Sequence, residues 1–183
     1  MPASPKSCAG GPGTPRLSKM TDFEALLGVL DKHRVEYIVV GGAAALAHGS
    51  ARFTQDLDIV YERSTGNLDR VVAALGNIRP YLRGAPAGLP FVWDRVTLER
   101  GLNFTLETSF GMIDLLGEIP GGGAYRDLLA ASVELLLFSG RTRCLSLEQL
   151  IRAKRAAGRP KDLEALAELE ALREEIETPN GSD

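Results

Sequence analysis

The sequence has no apolar run near the roughly 20 residues that a helix needs to cross a bilayer. Its first residues, MPASPKSCAGGPGTPRLSK, also lack the apolar core and cleavage pattern of a signal peptide. Neither membrane insertion nor export is indicated by these patterns. We therefore expect a cytoplasmic protein without a membrane partner.

Cysteine and histidine are scarce, with two of each: Cys8, Cys144, His33 and His48. Two cysteines without ligand spacing argue against a disulfide framework or a zinc site. Two histidines are too few for a histidine-rich metal centre. The net charge of −3 argues against a general nucleic-acid-binding surface, although it leaves room for a local basic patch.

The 183 residues are enough for one domain with a core and a helical appendage. Residues 1–19 are rich in Pro, Gly and Ser and predict a flexible tail, as does the segment 178–183. Strand and helix patterns alternate over 20–145, which predicts an α+β domain with a small mixed sheet flanked by helices. Residues 146–177 predict a pair of C-terminal helices packed on that domain.

Three local patterns complete this organisation. Thr21 with Glu24 three residues later predicts an N-cap and capping box. The proline and glycine residues of 79–103 predict a loop. The segments 103–107 and 112–116 predict an antiparallel hairpin.

The pair Asp56 and Asp58 opens a predicted strand, where residues two apart point to the same side. Two ionised carboxylates this close repel one another unless a cation lies between them. A divalent ion with oxygen ligands fits, and Mg²⁺ is the usual one where phosphates share the coordination. Taken alone, however, such a pair is more often a solvated strand edge.

A glycine pair upstream favours the metal-binding interpretation. Gly41 and Gly42 follow a buried strand, and the absence of side chains lets a ligand approach the backbone. The short helix that follows directs its positive dipole end toward an anion. A phosphate-binding turn and an acidic pair therefore lie close together in the chain.

The segment around these residues resembles the signature of the DNA polymerase beta-like nucleotidyltransferases. The resemblance is strongest over 35–62, and it is closest to minimal bacterial members of the abortive-infection and toxin–antitoxin types. It is carried by Gly41, Gly42, the short helix, Gly49, Arg52, Thr54 and Asp56-Leu57-Asp58.

The resemblance implies a third carboxylate on a neighbouring strand, in an apolar setting. Asp114 is the candidate, because it lies within Met-Ile-Asp-Leu-Leu and a buried carboxylate is costly without a partner. Glu107 and Glu118 are weaker alternatives beside loop-like sequence. A purely structural role for Asp114 also stays open.

A second resemblance lies near the C-terminus, where a lysine is followed by Arg-x-x-Asp, here Lys154, Arg159 and Asp162. In the toxin-type relatives the lysine reaches the nucleotide phosphates, which makes Lys154 a phosphate-binding candidate. A solvated helix face is the alternative for Lys154. A structural role is favoured for Asp162.

Three further side chains lie in the segment 35–62. Arg52 offers a planar fork suited to phosphate, and Thr54 occupies the position of a small hydroxyl residue in relatives. Both are candidates for nucleotide binding. His48 is expected to pack against or cap the helix end rather than to catalyse.

The resemblance implies a nucleotidyltransferase of the EC 2.7.7 type that transfers a nucleoside monophosphate from a bound NTP such as ATP with Mg²⁺. Asp56, Asp58 and Asp114 would be its metal-binding and catalytic residues, with Gly41, Gly42, Arg52, Thr54 and Lys154 at the nucleotide. The acceptor stays open among RNA such as tRNA, a protein and a small molecule, as does a cognate toxin–antitoxin partner. The alternative is a non-catalytic module that binds nucleotide or a partner.

Two other enzyme classes do not fit. The glycines lack the Gly-x-Gly-x-x-Gly spacing of a dinucleotide-binding turn. Carboxylates at i and i+2 lie on one side of a strand, so they would not flank a sugar as glycosidase acids do.

Overall fold

The computed structural model describes residues 20–86, 88–138 and 140–178. The helices within these ranges are α1 (Phe23–Lys32), α2 (Gly41–Ala47), α3 (Thr65–Gly76), α4 (Arg95–Arg100), α5 (Tyr125–Leu128), a 3₁₀ turn (Leu129–Ala131), α6 (Leu147–Ala157) and α7 (Pro160–Glu177). The strands are β1 (Tyr37–Val39), β2 (Asp56–Tyr61), β3 (Tyr81–Leu82), β4 (Asn103–Thr108), β5 (Gly111–Leu116), β6 (Glu118–Ile119), β7 (Gly123–Ala124), β8 (Ser132–Leu137) and β9 (Gly140–Leu145).

Seven of the strands in the described ranges form one mixed sheet, in the order β3-β4-β5-β2-β1-β9-β8. The pairs β2–β5 and β1–β9 are parallel, and the other neighbours in this sheet are antiparallel. β6 and β7 form a separate small ribbon. The predicted α+β class, a mixed sheet with helices, is confirmed, as is the predicted β4–β5 hairpin.

Buried apolar side chains alternate with less buried residues along β4, β5 and the start of β2, so this part of the sheet has one apolar face. Leu57, Phe104, Leu106, Ile113 and Leu115 are buried, and their neighbours along β2, β4 and β5 point to the opposite face. Burial of such side chains is the main favourable contribution to folding. The opposite face is therefore free to carry polar side chains, including the acidic residues of β2 and β5.

The helices pack in two groups. α1 contacts α3, and α3 contacts α4; α6 contacts both α2 and α7. α7 also contacts the connection between α2 and β2, because the Glu168 carboxylate accepts hydrogen bonds from Ser50 Oγ and Ala51 N, both at 2.8 Å. The last helix therefore borders the segment that precedes Asp56.

The predicted N-cap of the first helix is wrong. Asp22 caps α1, accepting a hydrogen bond from Ala25 N at 2.9 Å. Thr21 is buried instead, where its hydroxyl donates to Gln55 O and accepts from Met112 N. The hydroxyl satisfies two strand ends, so it is unavailable to the helix.

The predicted loop over 79–103 is also wrong in part, because it contains β3 and α4. β3 pairs with β4 at the sheet edge, and Asp94 caps α4 by accepting from Thr97 N at 2.8 Å. The elements are two and six residues long, too short for a periodic pattern to show.

No helix in the described part of the chain is both long and apolar enough to cross a membrane. The predicted tails, 1–19 and 178–183, lie outside the described residues except for Thr178.

Candidate active site

Three carboxylates meet on the polar face of the sheet. Asp56 and Asp58 lie two residues apart on β2, and Asp114 on β5 is the direct register partner of Asp58. One oxygen from each carboxylate lies within 4.8 Å of the others, and all three residues are half-buried. Carboxylate oxygens are the ligands that hard divalent cations prefer. The cluster can therefore hold a divalent metal ion.

The turn into α2 fits closely against this cluster. Gly41 has a φ of +62°, and a Cβ placed there would lie 2.0 Å from Asp58 Oδ2. A Cβ on Gly42 would lie 2.4 Å from Thr54 Oγ1. The Gly42 backbone N–H donates a hydrogen bond to Asp58, and Thr54 Oγ1 donates to Asp56 O at 3.2 Å. Side chains at either glycine would displace the groups that build the site.

Ionisation of the carboxyl groups in this cluster is unfavourable in the folded chain. Burial raises the pKa of Asp58 to about 7, and the charges of Asp56 and Asp114 add to the shift. Burial also raises the pKa of Asp114, with the Arg83 guanidinium opposing the shift and Asp56 adding to it. A cation close to these oxygens would favour their ionised forms.

Arg83 lies against two of the carboxylates. Its Nη1 donates to Asp56 Oδ2 at 3.1 Å and its Nη2 donates to Asp114 Oδ1. Nη1 is also 3.2 Å from Met112 Sδ. The guanidinium fork thus joins the acidic residues of β2 and β5 from the edge of the sheet.

Basic side chains come from the junction of α6 and α7. Asp162 is buried and accepts hydrogen bonds from Lys154 Nζ at 3.3 Å and from Arg159 Nε at 2.6 Å. Burial alone would raise the pKa of Asp162, but the bonds from Arg159 and Lys154 lower it. Asp162 therefore fixes the position of Lys154, in agreement with the structural role that the sequence favoured.

Two more cations border the cluster. Lys161 lies close enough to Asp58 and Asp114 for its charge to oppose, in part, the rise in the pKa of both carboxyl groups. Arg52 donates to the Glu164 carboxylate at 3.3 Å and to the Glu164 backbone oxygen at 3.2 Å. Arg52 is therefore bound to α7 rather than free.

A cavity of about 390 Å³ opens above the acidic cluster, within the size range of small-ligand sites. Its walls come from the α2 turn, the start of β2 and the α6–α7 junction. All the residues predicted for the site line it: Gly41, Gly42, Arg52, Thr54, Asp56, Asp58, Asp114 and Lys154.

No family model and no curated protein matches the sequence. Among solved structures, a candidate nucleotidyltransferase from Thermotoga maritima is similar over 83% of this chain and 96% of its own, with 15% identity and a TM-score of 0.52. This chain has the nucleotidyltransferase fold. The antibiotic-resistance factor ANT(2'')-Ia is also similar, over 84% of this chain and 88% of its own, with 19% identity and a TM-score of 0.48.

Other residues considered from the sequence lie elsewhere in the nucleotidyltransferase fold. His48 caps the end of α2, and its Nε2 is 2.8 Å from Leu145 O, as expected for a packing role. Glu118 borders a second cavity next to the acidic cluster. Among the described acidic residues, neither Glu107 nor Glu118 joins Asp56, Asp58 and Asp114 in a ligand group.

Sequence reasoning missed Arg83, and it counted Lys161 among the cations of the segment 152–161 without giving it a role of its own. Lys161 belongs to the basic run between α6 and α7, so its charge was a usable signal. Arg83 had none, because its segment was predicted as loop and Asp56 is 27 residues away in the chain. Only the pairing of β3 with β4 and of β4 with β5 brings Arg83 to the acidic residues.

Proposed function

We propose that the protein is a metal-dependent nucleotidyltransferase that transfers a nucleoside monophosphate from an NTP to an acceptor. The observation that carries this proposal is the convergence of Asp56, Asp58 and Asp114 at the base of a cavity with basic side chains on its walls. The fold alone supports the same class of reaction. Carboxylates that bind a metal and cations that bind phosphates are the two parts such a transfer needs.

The donor nucleotide would bind with its phosphate chain between the glycine turn and the α6–α7 junction. The missing side chains at Gly41 and Gly42 let Asp58 and Thr54 pack directly against the turn. Lys154 and Arg52, each paired with a carboxylate of α7, line the same cavity. Asp162 holds Lys154 in place, which reduces the entropy lost on binding. Thr54 would contact the nucleotide from the start of β2.

Asp56, Asp58 and Asp114 would hold the divalent ion, for which we propose Mg²⁺. Bound there, it would neutralise charge that develops on the phosphate oxygens. The acceptor oxygen forms a bond to the α-phosphorus as the bond from that phosphorus to the bridging oxygen breaks, and pyrophosphate leaves. We assign the acceptor proton to Asp114 Oδ2, since Arg83 binds Oδ1. Positioning and electrostatics supply most of the acceleration in such transfers.

The acceptor is an RNA such as tRNA, a protein or a small molecule. A toxin–antitoxin role with a cognate partner protein, and a cytoplasmic location, rest on the sequence resemblance alone. The rival proposal is a non-catalytic module that binds nucleotide or a partner, in which the ion pairs of Arg83 with Asp56 and Asp114 would be purely structural.

Incubation with each α-labelled NTP, Mg²⁺, total RNA and cell protein tests the activity. We expect label in one class of macromolecule, and loss of transfer by about two orders of magnitude or more in Asp56→Asn/Asp58→Asn, because metal ligands stabilise the transition state. The matched control is Asp69→Asn/Glu99→Gln, which removes two exposed carboxylates that pair with Arg95.

Equal transfer by the two double variants would overturn the assignment of Asp56 and Asp58. Nucleotide binding by calorimetry without transfer to any acceptor class would favour the non-catalytic module. Transfer to a small molecule is tested in the same assay by adding a low-molecular-weight cell extract.

A further inference from the structure

Arg83 is held in line with the acidic cluster by the backbone of the sheet. Its N–H donates to Thr105 O at 3.0 Å, one residue beyond the paired part of β3. Thr105 is the register partner of Asp114, and Asp114 is the partner of Asp58. Four residues on four adjacent segments therefore form one row across the sheet, with Arg83 at its outer end.

The guanidinium bridges two carboxylates in the way that a bound cation would. Nη1 donates to Asp56 Oδ2 at 3.1 Å, and Nη2 donates to Asp114 Oδ1. The Arg83 side chain is 23% exposed and that of Asp114 is 16% exposed, so solvent screens this contact only partly. A planar fork with fixed donors suits two carboxylates at once, which a lysine ammonium does not.

The charges within the cluster favour one divalent ion over two. Asp56, Asp58 and Asp114 carry −3 when ionised, and Arg83 brings the total to −2. One divalent ion would bring the total for these four side chains to zero, whereas a second would leave +2 before any phosphate arrives, and Lys161 beside the cluster adds further positive charge. Within the described residues, Arg83 makes no hydrogen bond to four of the carboxylate oxygens. These are Asp56 Oδ1, Asp114 Oδ2 and both oxygens of Asp58.

We propose that Arg83 permanently fills the cation position between Asp56 and Asp114, so that the site binds a single divalent ion beside Asp58. This inference rests on the proposed function, whose metal site it refines. An arginine stays protonated at all physiological pH values, and its charge is covalently part of the chain. The guanidinium therefore supplies a fixed positive charge where a two-metal site would need a second ion.

Counting bound Mn²⁺ tests the proposal without any assay of activity. The wild-type chain, Arg83→Gln and Arg83→Lys are titrated with Mn²⁺ alone, and free ion is measured by electron paramagnetic resonance. We expect one bound ion per chain in the wild type and one more in Arg83→Gln. Arg83→Lys should also bind one ion, because it keeps the positive charge although its ammonium lacks the planar fork. Arg70→Gln, which removes a guanidinium from an exposed pair with Glu36, is the matched control and should bind one ion.

An equal number of ions in the wild type and in Arg83→Gln overturns the inference, whatever the affinities. Two ions in the wild type also overturn it and leave the proposed metal site intact. No bound ion in the wild type or in any Arg83 variant overturns the metal site itself, and with it the proposed mechanism.

A crystallographic measurement needs no variant and so does not depend on whether Arg83→Gln folds. Anomalous scattering from Mn²⁺ in wild-type crystals should place one ion beside Asp58, with the Arg83 guanidinium still between Asp56 and Asp114. An ion between Asp56 and Asp114 with the guanidinium displaced contradicts the proposal.

Discussion

At Gly41 the main chain turns directly against the carboxylate of Asp58. The φ of +62° lies in the left-handed region, and a Cβ there would lie 2.0 Å from Asp58 Oδ2. Both constraints act at the same position, the first on the backbone and the second on a proposed metal ligand. The residue type is therefore fixed by local geometry and by the site together.

We predict that Gly41→Ala lowers the free energy of unfolding by about 1–2 kcal/mol, because alanine is strained at positive φ. The same variant should lose most of its Mn²⁺ binding, since the new methyl group displaces the Asp58 carboxylate. Urea unfolding and the Mn²⁺ titration measure the two effects.

Gly28→Ala is the matched control for this substitution. Gly28 lies within α1, and a Cβ there would meet no atom within 4 Å. Alanine is the better helix former, so the control should be more stable by up to about 1 kcal/mol and should bind Mn²⁺ normally. Normal Mn²⁺ binding by Gly41→Ala would show that the Asp58 carboxylate tolerates the displacement and would contradict the prediction.

At the scale of elements, the junction between α6 and α7 depends on one buried carboxylate. The side chain of Asp162 is 5% exposed and pairs with Lys154, itself 16% exposed, and with the exposed Arg159. The left-handed Gly158, φ +62°, ends α6 and lets the chain turn into α7. The ion pairs then fix the angle at which α7 borders the cavity.

We predict that Asp162→Asn lowers the free energy of unfolding by about 3 kcal/mol, because it leaves the half-buried Lys154 ammonium without its counter-charge. Lys154 should also become free to move, which would raise the KM for the NTP. Glu170→Gln breaks the more exposed pair with Arg155 and should cost less than about 1 kcal/mol. Equal costs for the two variants, measured by urea unfolding, would contradict the structural role of Asp162.

Elements with strong local signals were predictable from the sequence, and the others depended on long-range pairing. The hairpin of β4 and β5 follows from two apolar runs with a turn between them. β9 was not predicted, because Arg141 and Arg143 alternate with Thr142 and leave little apolar character. It becomes a strand because it pairs along its length with β8, and Cys144 pairs with Val39 of β1 on its other side.

At the scale of the whole molecule, the candidate site joins parts of the chain that lie far apart in sequence. The acidic pair of β2 and its glycine turn were predictable, because all their parts lie within a short segment. Asp114 was identified by resemblance, and its meeting with Asp58 depends on a parallel pairing between β2 and β5 that no local pattern encodes. Arg83 was missed for the same reason.

The carboxylate cluster also makes the stability of the metal-free protein depend on pH. Burial and two neighbouring charges raise the pKa of Asp58 from its ordinary value of 3.8 to about 7. Between these values the folded chain keeps the Asp58 proton and the unfolded chain has released it. Stability therefore falls as the pH rises through this window.

We predict that Asp58→Asn, which cannot ionise, gains stability relative to the wild type by on the order of 3 kcal/mol between about pH 4 and pH 7. Urea unfolding in the presence of a chelator measures the difference at each pH. For Asp69→Asn, on an exposed part of α3, the free energy of unfolding should change with pH in the same way as that of the wild type. A constant difference between Asp58→Asn and the wild type across this window would contradict the prediction.

The register between β2 and β5 also limits how this sequence can change length over evolution. At the start of β2 and along β5, half-buried residues that include Asp56, Asp58 and Asp114 alternate with buried residues on the core face. Inserting or deleting a single residue inside either strand would exchange the two faces, so the acidic cluster and the apolar core would be lost in the same event. Viable insertions are confined to the connections, above all the excursion between β3 and α4. A lineage could remodel that excursion, and with it the surroundings of Arg83, while every acid stayed in place.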